Sequence, residues 1–313
     1  MNIIKNRYLY FWISLLVIIP GLVFMVLNVT VRRTGPIPLG IDFTGGSLLE
    51  VKFESAAKLP STDAIKAIYN QFQIKDAVVQ PLGTDSFAIR SEAMDDATKG
   101  KVLAEMNKQF GTVTLQNFTQ VSAAVGSEVT STAAVAVFAA AIAILFYLWF
   151  AFRSLPHAFR YGTAAIMAML HDVLVVLGVE AMLGFFLGWQ ADSLFLTALL
   201  TVIGFSVHDT IVVFDRIREN LSTYRRVDFE TVINHSVVQT LDRSINTQLT
   251  VMFTLSALAL FGGDTIRHFV IILLIGVFSG TYSSIFNASP ILVVWENQEW
   301  KNWFGGKKEE VAA

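Results

Sequence analysis

No cysteine occurs among the 313 residues, which excludes disulfides, thiolate metal sites and a cysteine nucleophile. The five histidines are scattered and none forms an H-x-x-x-H pair, so the commonest helical zinc pattern is missing and a metal site is not expected. No G-x-x-x-x-G-K-[ST] loop is present, so the chain has no evident means of hydrolysing nucleotide. Neither an enzymatic activity nor a cofactor is expected. Charge is also scarce. Lys, Arg, Asp and Glu make up 15% of the chain, and its net charge of −2 comes without any long basic run, which argues against a nucleic-acid partner. What fills the space is apolar. Hydrophobic residues reach 54%, too many for an ordinary soluble domain, and several runs approach or exceed the ~20 residues that a helix needs to cross a bilayer. The chain reads as an integral membrane protein.

Lys5 and Arg7 precede an apolar run over 8–29. That run is too long for a typical signal-peptide core and no small-residue cleavage site follows it, so an uncleaved first helix is expected, its basic flank in the cytoplasm. From 30 to about 126 the composition is that of a soluble domain. A link at 32–40 leads to an alternating strand over 47–53. Pro60-Ser-Thr-Asp opens a helix to about Phe72, with Ser61 or Thr62 able to cap it. Strands are expected at 77–80 and 86–91 around a turn at 81–85, then a helix over 95–110 stopped at Gly111, then a last strand over 113–121. The order β-α-β-β-α-β predicts a ferredoxin-like α+β domain, to which no chemistry is assigned.

Five more spans follow, at 129–150, 161–187, 193–214, a fifth, and 269–294 with a kink or break near Pro290. The strongly apolar part of the fifth, 251–261, is too short to cross. It must extend back through 237–250, whose polar side should face other helices rather than lipid. Arg153, His157 and Arg160 lie in one short loop, and Arg216, Arg218, Arg225 and Arg226 in a basic loop at 215–234. With Lys301, Lys307 and Lys308 these fall on the side of both termini, while the short loops opposite carry one arginine between them. The positive-inside rule then makes the termini cytoplasmic. The expected division is a first helix within 1–29, an extracytoplasmic domain at 30–128, helices two to six within 129–295 and a cytoplasmic tail at 296–313. Gly184-x-x-x-Gly188 and Gly276-x-x-x-Gly280 are candidates for close helix packing.

Acids inside the spans carry the chemistry. His208 and Asp209 sit within the fourth run, five residues before its charged end. An ionised carboxylate there costs at least ~2.5 kcal/mol, so it needs a partner, a proton or water. Arg243 lies at a matching depth in the antiparallel fifth span, both groups roughly 8 Å below one surface at ~1.5 Å per residue. Asp209 and Arg243 read either as a static packing pair or as a proton relay in which protonation of Asp209 loosens its hold on Arg243. His171 and Asp172 lie deeper, in the third span, and His171 reads either as a structural histidine or as a proton carrier. Ser206, Thr210, Asn246, Thr247 and Gln248 are placed to supply hydrogen bonds or hold water. Glu180 has no assigned role.

Five stretches resemble the SecF branch of the SecD/SecF protein-export family: G-I-D-F-T-G-G at 40–46, L-H-D-V at 170–173, V-I-G-F-S-V-H-D-T-I-V-V-F-D-R-I-R-E-N at 202–220, R-S-I-N-T-Q-L-T at 243–250 and Y-S-S-I-F-N-A-S-P at 282–290. They span nearly the whole chain in order. The resemblance implies six transmembrane helices forming half of an RND-type transporter, with a periplasmic domain after the first. It also implies partnership with SecD, attachment to the SecYEG channel, and use of the proton-motive force to help export unfolded preproteins across the bacterial inner membrane, the spans lying among membrane lipids. The family's proton-pathway acid and arginine fall on Asp209 and Arg243. Asp242 and Asn287 depart from the usual pattern, and Asp242 is placed to compete for Arg243. An RND-type small-molecule exporter subunit and a non-transporting scaffold of the channel are the alternatives.

Overall fold

Long runs without alternation fold as helices, and the alternating runs pair as strands. A computed structural model of the chain describes residues 2–54, 59–74, 77–82, 84–153 and 158–303. Among these, a 3₁₀ turn at Ile4–Asn6 leads into α1 (Arg7–Thr30), and a four-residue helix α2 (Ile41–Thr44) precedes β1 (Gly46–Phe53). Then come α3 (Thr62–Gln71), β2 (Val78–Leu82), β3 (Ser86–Ser91), α4 (Asp96–Phe110) and β4 (Val113–Val121). The remainder is helical: α5 (Ala123–Phe152), α6 (Ala158–Leu187), α7 (Ser193–Thr223), α8 (Phe229–Phe261), α9 (Asp264–Ser283), a π-turn at Ser284–Ala288, α10 (Ser289–Glu296) and α11 (Trp300–Trp303). Six of these stretches are long and apolar enough to cross a membrane, the last running continuously over Ile266–Glu296. His157, Gly83, Lys307 and Lys308 lie outside the described residues.

Two compact units emerge, one of Met1–Val26, Val137–Val179 and Thr197–Ala313, the other of Leu27–Ala136 and Glu180–Leu196. The second contains the sheet. Its order is β2-β3-β1-β4, every neighbouring pair antiparallel, which is the ferredoxin-like topology expected from the element order. Leu49, Val51 and Phe53 of β1 alternate inward, with Ile89 of β3, onto Ile65, Ile68 and Tyr69 of α3 and Val102 and Met106 of α4. Ser61 caps α3 by accepting from the Ala64 amide at 3.2 Å, and Asp95 caps α4 from Thr98 at 2.9 Å.

Two stretches differ from expectation. The strand expected to end at 80 continues through Pro81 and Leu82, because β2 is the sheet edge and a missing amide is tolerated there. The basic loop expected at 215–234 is mostly helix. α7 runs on to Thr223, its charges paired along the helix by Arg216–Glu219 at 2.6 Å and Arg218–Asp215 at 3.8 Å, and α8 starts at Phe229, capped by Asp228. The last span is interrupted by a π-turn at Ser284–Ala288, two residues before Pro290, where a kink or break was expected.

Glycine contacts divide the two small-residue motifs. A Cβ on Gly276 would overlap Val202, and one on Gly280 would lie 3.3 Å from Ser206 Cα, so this pair seats α9 on α7. Gly184 instead meets Pro38, and Gly188, with φ +72°, ends α6 with open space around it; that motif makes a turn, not a helix seam. α1 and α6 meet backbone to backbone at Gly21 and Gly178, where a Cβ on Gly21 would lie 2.6 Å from Gly178 Cα.

Candidate functional site

Within the larger unit, polar positions of α6, α7, α8 and α9 converge on two carboxyl groups. Asp172 of α6 has no exposed surface. Its Oδ2 accepts hydrogen bonds from Ser206 Oγ of α7 at 2.5 Å and from Ser283 Oγ of α9 at 2.6 Å. Its Oδ1 accepts from Ser279 Oγ at 2.6 Å and lies 3.0 Å from His171 Nδ1. Four contacts of 2.5–3.0 Å, from α6, α7 and α9, hold this carboxyl in one place. The His171 ring stacks on Tyr282 at 6.1 Å, and Tyr282 donates to the Tyr10 carbonyl at 2.7 Å.

Asp209 of α7 is held differently. It is 5% exposed, and its contacts are long: Gln248 Nε2 of α8 at 3.2 Å, Thr281 Oγ1 of α9 at 3.5 Å and His208 Nδ1 at 3.7 Å. The Gln248 contact is at the long end of the ordinary range and the other two lie beyond it. Gln248 also donates to the Val277 carbonyl at 3.0 Å, while its buried Oε1 has no hydrogen-bond partner among the described residues. The α9 stretch 277–283 thus serves both acids. Next to it, Thr210 Oγ1 lies 2.9 Å from Ser284 Oγ, and Ser284 donates to the Gly280 carbonyl at 2.8 Å.

Several expected members stand elsewhere. Arg243 is exposed, and no ion pair with Asp209 occurs among the described residues. The reason is angular. The buried stripe of α8 runs through Val237, Thr240, Ser244 and Gln248, and Arg243, five positions before Gln248, points about 140° away round the helix axis. Asn246 and Thr247 share the outer face with it and reach neither acid. His208 is also largely exposed, its side chain 65% accessible, beside the buried Asp209. Ser206 serves Asp172 rather than Asp209, and Thr210 turns to Ser284. Ser279 and Ser283 are partners of Asp172 that the sequence reading did not assign. A serine every fourth residue, 279 and 283, opposite an intramembrane acid was the available signal. Asp242 is exposed. Asn287 exchanges hydrogen bonds of 2.9 and 3.1 Å with Ser14 of α1.

Comparison with known proteins bears on this arrangement. The family "Protein export membrane protein SecD/SecF, C-terminal" matches residues 101–298, and "SecD/SecF GG Motif" matches 34–57. A protein translocase subunit SecF from Anaerolinea thermophila is 54% identical over 97% of this chain and 97% of its own length. The chain belongs to the SecF family. Another protein translocase subunit SecF, from Thermobaculum terrenum, is 45% identical over 100% of this chain and 99% of its own length. In three dimensions the chain resembles the crystal structure of SecDF, a translocon-associated membrane protein from Thermus thermophilus, with a TM-score of 0.80 at 27% identity. That match covers 95% of this chain but 39% of the SecDF chain. The six apolar helices and the family membership together make this a multi-pass membrane protein with an RND-like SecDF fold.

Proposed function

We propose that this SecF-family chain works with a SecD-type partner as a proton-driven unit of the Sec translocase, using the proton-motive force to promote export of unfolded preproteins through SecYEG. It sits in the bacterial cytoplasmic membrane with both termini and the 296–313 tail inside, and with the 30–128 domain outside. The pathway draws on Asp209, His208, Arg243, His171 and Asp172.

The observation that carries this reading is the contrast between the two acids. Asp172 is fixed by four contacts of 2.5–3.0 Å, whereas Asp209 has three of 3.2–3.7 Å. Gln248 suits either charge state of Asp209. Its amide N–H donates to the carboxylate, and its unmatched Oε1 is an acceptor for the O–H of the neutral acid after an amide turn. Protonation removes the acceptor charge to which Gln248 of α8 and Thr281 of α9 are bonded, so these helices are freed to shift against α7. Arg243 rides on α8. On its outer face, with Asn246 and Thr247, it faces what would otherwise be lipid, where a guanidinium costs at least ~2.5 kcal/mol. That face therefore calls for a polar partner, and a SecD-type half supplying an acid answers it.

Asp209→Asn is the test. Preprotein export in living cells should lose its gradient-dependent part while the complex with SecD assembles in normal amount. Unchanged export with normal assembly would leave the chain a scaffold.

A further inference from the structure

The segment 38–46 carries none of the intramembrane polar groups, yet backbone packs closely against it. Gly40 N–H donates to the Ala191 carbonyl at 2.7 Å and Ala191 N–H to the Pro38 carbonyl at 2.8 Å, a two-bond bridge between this loop and the loop before α7. Gly45 (φ +74°) and Gly46 (φ +125°) take backbone conformations open to glycine and enter β1 directly. A Cβ on Gly45 would lie 2.8 Å from Ala123 Cα at the start of α5, and one on Gly46 would lie 2.5 Å from the Ser91 carbonyl oxygen at the end of β3. Such contacts leave no slack.

Asp42 projects from this wedge onto the first residue of α7. Its Oδ2 accepts from Ser193 N–H at 2.9 Å and from Ser193 Oγ at 2.7 Å. Asp192 caps the same helix by accepting from Phe195 N–H at 2.8 Å. Two carboxylates thus meet the free amides and positive end of α7. Arg90 of β3, which donates to Gln80 at 3.1 Å, lies within electrostatic reach of Asp42, Asp192 and Glu50. From Ser193 the helix runs unbroken past Asp209, sixteen residues and roughly 24 Å on.

We infer that Asp42 is a positioning residue that clamps the end of α7 to β1, so that displacement of α7 is delivered to the sheet. The inference rests on the proton-driven reading above. The wedge turns an axial or tilting movement of α7 into movement of β1, because the Asp42–Ser193 contact and the Gly40–Ala191 bridge join the two rigidly while glycines remove the side chains that would cushion them.

Absence of cysteine makes the test direct. Ser222→Cys, exposed near the far end of α7, and Gln116→Cys, exposed on β4, each carry a fluorescent label in the full chain assembled with SecD in vesicles. Under an imposed proton gradient both labels should respond. With Asp42→Ala the Ser222 label should still respond, the Gln116 label should fall silent, and gradient-dependent export should drop about fivefold or more. Asp42→Asn keeps an acceptor oxygen for Ser193 and should restore the Gln116 response, which distinguishes coupling from mere loss of fold. Retention of the Gln116 response in Asp42→Ala, loss of both responses in it, or failure of Asp42→Asn to rescue overturns the inference. A silent Ser222 label in the chain unaltered at 42 sinks the proton-driven reading and the coupling with it. A Ser222 response with a silent Gln116 label in that chain sinks the coupling alone.

Discussion

Gln248 and Arg243 are five positions apart on α8 and face opposite ways: Gln248 donates to Asp209 at 3.2 Å, and Arg243 stands exposed on the outer face. The arginine therefore does little for the isolated chain. Arg243→Lys should leave thermal unfolding of the purified chain within about 0.5 kcal/mol of wild type. In the complex with SecD it should impair export, because an ammonium lacks the planar fork that pairs with a carboxylate. A large loss of stability without SecD would mean that Arg243 packs inward.

Asp172 should behave in the reverse way. Asp172→Ala strands Ser206 and Ser279 and removes one acceptor of Ser283, which should cost about 3 kcal/mol. Thermal unfolding in detergent measures it. Asp209→Asn, with its long contacts, should cost under about 1 kcal/mol by the same measurement. Equal losses would remove the contrast between the two acids.

How much of this was legible beforehand depended on what the residues encode. An acid inside an apolar run is visible in one dimension, so Asp172 and Asp209 were found. The β-α-β-β-α-β order was readable from alternation and caps such as Ser61 and Asp95. The partnering of Arg243 was not, because matching by depth treats helices as lines and ignores phase; the buried stripe through Ser244 and Gln248 excludes Arg243 whatever its depth. Serines in apolar helices are common and usually bond their own backbone, so Ser279 and Ser283 gave no signal apart from Asp172. Charges after Phe214 marked a boundary of polarity but not of helix, since Arg216 and Glu219 stabilise the continuing turns.

Close backbone packing gives a third expectation. A Cβ on Gly178 would lie 2.8 Å from Gly21 Cα, and backbone cannot rotate aside. Gly178→Ala should force α1 from α6 and destabilise the chain by about 1–3 kcal/mol, read as a lowered unfolding temperature. Gly162→Ala, with open space around it, is the neutral control.

The ends of the chain are joined by ion pairs that should titrate. Arg7 binds Glu299 at 2.6 Å and Glu230 at 3.3 Å, and Tyr8 Oη donates to Glu299 at 2.6 Å. Burial acts to raise the Glu299 carboxyl, but the hydrogen bonds from Arg7 and Tyr8 outweigh it and hold it below its ordinary value. A depressed carboxyl contributes stability that is fully present above its unfolded pKa and lost as pH falls through the folded one. Unfolding temperature should therefore fall on acidification in that window more steeply for wild type than for Glu299→Gln. Parallel pH profiles would show that the contact carries no linkage.

The proton-driven reading stands on Asp209, and preprotein translocation into inverted membrane vesicles, with and without a proton-conducting ionophore, tests it most directly. Wild-type vesicles should lose their gradient-dependent component when the ionophore is added, and Asp209→Asn vesicles holding the same amount of complex should have none to lose. Equal ionophore sensitivity in the two would contradict the account.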